Sequence, residues 1–316
     1  MDVPQEMSQA LSDNLADPLP VEGVNGVDIG LDESGELAMR ILVSDPDDPP
    51  GGLPETIGGF PVLLVRGDPV AEQRCVPDEM KHNALVGGIQ IGPRATMDGL
   101  AHAGTLGCIL RDRASGDPVA ISNAHVICGM GGVIQQPAPH TDPPLSSEEL
   151  GTVQHCEIPS TPAFFPTPHM GGVSGFFDAA TCSIDSAIIN GRTASVGEIA
   201  DIGTVTGFGS PHLGDRVRKR GAQTRLSHGV VSGSLGSYQI RDENGKILWW
   251  MLGQTAITCL PDLGLNPCGR WSRDGDSGAV VVNENNEIVA LHFAGDGVNG
   301  YATDFATVAV ALGVGL

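Results

Sequence analysis

Punctuation is the feature that most constrains this chain. Its 316 residues include 44 glycines and 23 prolines with only 4% aromatic residues, a composition that predicts many turns and short strands instead of long helices. After residue 100 the runs AGTLGCILR, PVAISNAHVI, ELGTVQHCEI, CSIDSAIING, GDRVRKRG, HGVVSGSLG, KILWWMLGQTAI, SGAVVVN and EIVALHFAG are all strand-sized and bounded by Gly, Asn, Asp or Pro. So many short strands in about 200 residues point to a β-barrel or sandwich. The ending TDFATVAVALGVGL predicts an amphipathic helix, with Thr303 as N-cap, Asp304 in the first turn and Phe305, Val308 and Leu312 on one face.

The first 100 residues read differently. They hold 18 acids and 5 bases, against 20 acids and 12 bases in the remainder, which suggests a separate unit. Met7, Ala10, Leu11 and Leu15 recur at helical spacing, while LAMRILV (37–43) and FPVLLV (60–65) read as strands. SDPDDPPGG (44–52) between them is an exposed acidic turn, and 67–100 reads as a connector. The expected division is an N-terminal α/β unit with its connector at 1–85 and a β domain at 86–316.

A formal charge of -21 excludes a basic nucleic-acid binder, because phosphate contacts need clustered Lys and Arg. Apolar runs such as VLLV at 62–65 fall far short of the roughly 18 residues of a membrane helix. The N-terminal stretch MDVPQEMSQALSDNLADPLP carries acids where a signal peptide has bases, so a cytoplasmic location is expected. Seven cysteines (75, 108, 128, 156, 182, 259, 268) do not require a disulfide framework in a chain of this size. Most are read as buried thiols, with Cys156/Cys182 and Cys259/Cys268 the pairs to test first. The HxxC spacing of His125 and Cys128, near His155, Cys156 and His169, lacks a completing CxxC or HxxxH pair, so neither metal nor cofactor is expected.

Three segments carry chemistry. Gly275-Asp276-Ser277-Gly278 lies between a polar loop and the apolar strand AVVV; glycines on both sides allow a tight turn in which the N–H groups of Gly275 and Ser277 converge as an oxyanion hole. AISNAHVI places His125 at the end of an apolar strand. CSIDSAII places Asp185 at the start of an otherwise apolar strand, and a buried carboxylate there needs a partner such as an imidazole Nδ1–H.

In this order the segments resemble the trypsin-like serine peptidases of the chymotrypsin fold. The match rests on SNAHV around His125, IDSAI around Asp185, and GDSG around Ser277 followed by a VVV strand, the NENNE turn and EIVALHFAG. A closer likeness is to the NARROW LEAF 1-like branch of bacteria and plants, carried by GTLGCILRDRASGDPVAISNAHVI, KRGAQTRLSHGVVSG and LPETIGGFPVLLV. The resemblance implies a mainly β, two-barrel fold with a C-terminal helix, acting as a serine endopeptidase on protein or peptide substrates. It makes Ser277 the nucleophile, His125 the base, Asp185 its orienting acid, and Gly275 with Ser277 the oxyanion donors.

Two departures from the family pattern stand out. No IVGG-like start supplies a new N-terminal ammonium for Asp276, which therefore needs another partner or has none. The pocket position six before the nucleophile is Trp271 instead of an acid, and Phe293 stands near the entrance, so small or apolar side chains are expected before the cut, with Asp274 as the residue that would change this. The Arg216, Arg218, Lys219, Arg220 cluster reads as a solvated face, and Trp249 and Trp250 point to opposite faces of a strand and serve packing. The competing functions are a non-catalytic scaffold on the same fold and an esterase with the same triad; a homo-oligomer is left open.

Overall fold

The structure is a computed structural model that describes residues 3–15, 18, 21–32, 34–67, 69, 78, 80–94, 103–128, 132–139, 148–159, 161–162, 173–186, 189–242, 244–260 and 269–316. It is mainly β. Helix α1 (Gln5–Asn14) buries Met7 and Leu11, with Ala10 and Leu15 packed beside them, the face that the spacing predicts. Strands β1 (Val24–Leu31), β2 (Leu37–Val43), β3 (Thr56–Ile57) and β4 (Phe60–Arg66) follow. The sequence marks β2 and β4 but not β1, whose Asn25, Gly26, Asp28 and Gly30 look like turn residues. The two glycines are demanded by close packing: a Cβ at Gly26 would strike Tyr238 and one at Gly30 would strike Arg40.

The middle of the chain supplies β5 (Ala84–Gly87), β6 (Gln90–Pro93), β7 (Gly104–Thr105), β8 (Cys108–Asp112), β9 (Pro118–Ser122), α2 (Ala124–Ile127), β10 (Val133–Gln136), β11 (Glu148–Glu157), β12 (Thr161–Pro162), β13 (Val173–Gly175), β14 (Ala179–Ser183), β15 (Thr193–Ile199), β16 (Gly203–Thr204) and β17 (Gly207–Phe208). The rest supplies β18 (Arg216–Gly221), β19 (Arg225–Arg241), β20 (Ile247–Cys259), β21 (Val280–Asn283), β22 (Glu287–Gly295), β23 (Asn299–Asp304), α3 (Phe305–Ala311) and β24 (Val314–Gly315).

Two barrel-like sheets result. The first runs β24-β8-β9-β14-β11-β10-β6-β7 and the second β12-β13-β20-β23-β22-β21-β18-β19-β1-β2-β4-β3, with β17 joined to β22 and a small sheet β16-β15-β5 alongside. Leu110, Val119 and Ile121 of the first meet Val280, Val282, Ile288 and Leu291 of the second, and α3 adds Phe305 and Val308 to the same core. That helix is capped by Asp304, whose side chain accepts from the Thr307 N–H at 3.0 Å; Thr303, the expected cap, still belongs to β23 and donates its hydroxyl to Gln254. Among the described residues no helix is long and apolar enough to cross a membrane.

The N-terminal strands do not stand apart. β1 pairs antiparallel with the far half of β19, from Gly233 to Tyr238, and Met7, Leu11, Ile29, Met39 and Ile41 share one core with Val231, Trp250, Ile257 and Val289. A buried ion pair pins the junction: Arg40 grips Asp28 with Nε at 2.7 Å and a second nitrogen at 2.8 Å, and the Tyr238 hydroxyl donates to the same carboxylate. Deleting residues 1–67 is therefore expected to give an insoluble chain or one with no cooperative thermal transition, checked by calorimetry against the full-length protein.

Candidate active site

Antiparallel register positions the histidine and its acid. β9 pairs with β14 so that Ser122, the last residue of β9, lies opposite Ala180, near the start of β14. The chain leaving β9 and the chain entering β14 therefore meet at one end of the pair. Asn123 caps the short helix α2 in an extended conformation, which delivers His125 to that end, and Asp178 immediately precedes β14. The His125 N–H donates to Asp178 Oδ1 at 3.0 Å, its ring Nδ1 pairs with Oδ2, and the Asn123 amide donates to the Asp178 carbonyl at 2.5 Å. Asp178 is 1% exposed and the His125 side chain 28%. With a carboxylate on Nδ1, that nitrogen holds the proton and Nε2 is left as the acceptor.

The carboxylate that meets His125 is thus Asp178, where the sequence had pointed to Asp185. Asp185 lies beyond the opposite end of β14, where its N–H donates to Leu150 O and its carbonyl accepts from Ile189. Seven residues of extended chain separate it from Asp178, roughly 23 Å at about 3.3 Å per residue.

Ser277 sits on a turn built by its neighbours. Gly275 and Gly278 both have φ of 95°, a region that favours glycine, and a Cβ at Gly278 would run into Ser122 and the Thr105 carbonyl. Thr105 in β7 clamps the turn twice, its hydroxyl donating to Gly275 O and its N–H to Ser277 O, each at 2.8 Å. Next to it, a Cβ at Gly104 would strike Val126 on one side and approach Ser277 O on the other. The helix of His125 and the turn of Ser277 are thus brought together across one glycine. Ser277 is 4% exposed, and its Oγ donates to the Phe293 carbonyl at 3.2 Å. The Asp276 N–H donates to Arg273 O and the Gly278 N–H to His292 O, whereas the N–H groups of Gly275 and Ser277 meet no acceptor among the described residues.

Asp276 has an internal partner. Lys219 Nζ lies 2.8 Å from its Oδ2, and both side chains are 0% exposed. The Thr224 hydroxyl donates to Oδ2 at 2.6 Å, and the N–H groups of Gln223 and Thr224 donate to Oδ1 at 2.8 and 3.0 Å. Burial alone would raise this carboxyl; the Lys219 ammonium and these donors hold it below its ordinary value. The sequence placed Lys219 in a solvated cluster. Of its cluster mates, Arg220 meets the buried Asp78 at 2.8 Å and Arg218 meets Asn286, while Arg216 is exposed.

Trp271 and Phe293 are enclosed and do not line an open pocket. Trp271 is 0% exposed and Phe293 2%. A Cβ at Gly229 or Gly300 would collide with the Trp271 ring, and Lys219 Nζ stands 5.3 Å from its centroid. Phe293 packs with Leu42, Tyr238 and Tyr301, and it is its carbonyl that reaches Ser277. The cysteines also pair differently from expectation. Cys128, the C-cap of α2, is bonded to Cys156 of β11, so Cys128 offers no thiolate beside His125. Cys182 is a free thiol that burial pushes up to about 12; the Cys259/Cys268 pair involves residue 268, which lies outside the described residues.

No family model and no curated protein matches this chain. Solved structures of chymotrypsin-fold serine proteases do. Protease A of Thermobifida fusca is 18% identical, with 74% of this chain and 98% of its own covered at a TM-score of 0.48. A chymotrypsin of Cellulomonas bogoriensis is 15% identical over 74% and 98% at 0.45. A glutamic acid specific serine protease, described as using a histidine triad in substrate binding, is 12% identical over 73% and 100% at 0.48.

Replacing Lys219 by Met should leave Asp276 charged and uncompensated in the interior, at a cost of about 3–5 kcal/mol. The measurement is urea unfolding of the variant; a midpoint equal to that of the parent would show that the pair is not what holds the turn.

Proposed function

We propose that this protein is a serine endopeptidase that cleaves peptide bonds through an acyl-enzyme. One observation carries the reading: a histidine whose Nδ1 is bonded to a buried carboxylate stands across Gly104 from a serine on a glycine turn. In the reaction Ser277 Oγ leaves the Phe293 carbonyl and attacks the substrate carbonyl carbon while its proton passes to His125 Nε2. Asp178 stays ionised and stabilises the imidazolium. The oxygen that becomes negative is received by the N–H groups of Gly275 and Ser277, each worth about 3–4 kcal/mol to the transition state. His125 then returns the proton to the leaving amine, and water repeats the sequence on the acyl-enzyme.

The segments around His125, Ser277 and the KRGAQTRLSHGVVSG stretch support assignment to the NARROW LEAF 1-like branch, with Asp178 taking the acid role. Side-chain preference follows from charge. The buried carboxylate beside Ser277 is already neutralised by Lys219, so a substrate Lys or Arg gains no counter-ion from it, and small or apolar residues before the cut fit better.

Two substitutions test the assignment. Ser277→Ala should abolish labelling by a fluorophosphonate while leaving the thermal transition in place, because only the nucleophilic oxygen is lost; undiminished labelling would refute the role of Ser277. Asp178→Asn should lower turnover of peptide substrates by roughly three to four orders of magnitude, and Asp185→Asn should leave it within about threefold. The reverse ranking would restore the acid that the sequence favoured.

A further inference from the structure

We propose that Trp249 is a positioning residue for His125, and that the far half of the β19–β20 ribbon sets the geometry of the His125–Asp178 pair. The kinetic part of this inference rests on the acyl-transfer reading; the geometric part does not.

The ribbon is long, 17 residues in β19 and 13 in β20, and its two halves do different things. The half near the barrel pairs with β18 and β23. The far half pairs with β1 on one side and, through Trp249, Trp250 and Met251, with Val173, Ser174 and Gly175 of β13 on the other. β13 runs straight into Phe176, Phe177 and Asp178, and Gln254 of the ribbon donates to the Phe176 carbonyl at 3.1 Å. The approach to the carboxylate is thus fixed by backbone pairing with the ribbon.

The same stretch touches the other member of the pair. The indole of Trp249 lies 6.2 Å from the imidazole of His125, centroid to centroid, with the planes inclined at 37°. Alternation along the strand turns Trp250 the other way, where it is 0% exposed in the core, so the backbone that carries Trp249 is anchored. Trp249 Nε1 is buried and meets no acceptor among the described residues; the ring is held by packing, and an aromatic ring without the N–H keeps the contact. An imidazole has rotational freedom about χ1 and χ2, and its Nδ1–H bond to Asp178 survives only while the ring plane is held. Trp249 is an aromatic ring beside His125, whose side chain is 28% exposed.

A packing residue would change stability alone, whereas a positioning residue changes the histidine. The experiment compares the full-length parent with Trp249→Ala, Trp249→Leu, which keeps apolar volume and removes the ring, and Trp249→Phe, which keeps a ring. Two readouts are taken: the low-field proton resonance of His125 Nδ1–H, and the rate of Ser277 acylation by a fluorophosphonate across pH. Phe should preserve the resonance and acylate within about twofold of the parent, while Leu and Ala should broaden or lose the resonance and slow acylation by roughly ten- to a hundredfold, the range expected when a catalytic group is misplaced by about 1 Å. If Leu, folded by its thermal transition, retains the resonance and acylates within about twofold, the proposal is overturned. A parent that resists the reagent at every pH sinks the hydrolase reading, and the resonance still decides the role of Trp249.

Discussion

The buried pair of Lys219 and Asp276 is the interaction on which the rest of the site depends. An ion pair with both partners at 0% exposure pays a desolvation penalty of several kcal/mol per ion, which attraction offsets only when the remaining lone pairs are satisfied. Here they are. Asp276 takes two N–H groups on Oδ1, and the ammonium, the Thr224 hydroxyl and the Arg273 N–H on Oδ2. Each donor belongs to a segment whose place is fixed as a result: β18 through Lys219, the turn into β19 through Gln223 and Thr224, and the loop before Ser277 through Arg273. Gly221 must lack a side chain because a Cβ there would strike the carboxylate. The indole of Trp271 covers the ammonium, which explains why the position that resembled a pocket floor is core.

A second buried charge network does for the N-terminal strands what the first does for the turn. Burial and the neighbouring Asp28 push the Tyr238 phenol well above its ordinary value, so it remains a neutral donor to that carboxylate while Arg40 balances the charge. The contrast in charge between the first 100 residues and the remainder had suggested two units. Charge describes surfaces, however, and the edge of β19 that receives β1 is a row of backbone groups with no charge to report it.

What was legible in the sequence was local. His125 and Ser277 stand out in the sequence because a strand end and a glycine turn are written in consecutive residues, and α1, β2, β4 and α3 because their periodicity is. Asp178 was missed because the carboxylate that meets His125 is chosen by the pairing of β9 with β14, and the choice between the two ends of β14 is a matter of register. Antiparallel pairing would have selected the acid before the strand, since His125 follows its own. The Cys128–Cys156 bond was hidden for the same reason. Lys219 was within reach: alternation sets it on the face of Val217, and a lysine that shares a face with a buried valine needs a buried acid.

The two buried aspartates of the site differ in what they face, and the difference matters for chemistry. Asp178 faces an imidazole whose side chain is 28% exposed, which in the proposed reaction gains and loses a charge. Asp276 faces a fully enclosed ammonium, and its charge has to stay constant. It stands between Gly275 and Ser277, whose N–H groups receive the developing oxyanion in the proposed reaction. An unpaired carboxylate between those two donors would repel that oxygen and oppose its stabilisation. In the proposed reaction the Lys219 ammonium, paired with Asp276 at 2.8 Å, is what removes that opposition. The internal lysine thus does two things with one charge: it makes the turn that aims the donors, and it silences the acid that the turn requires.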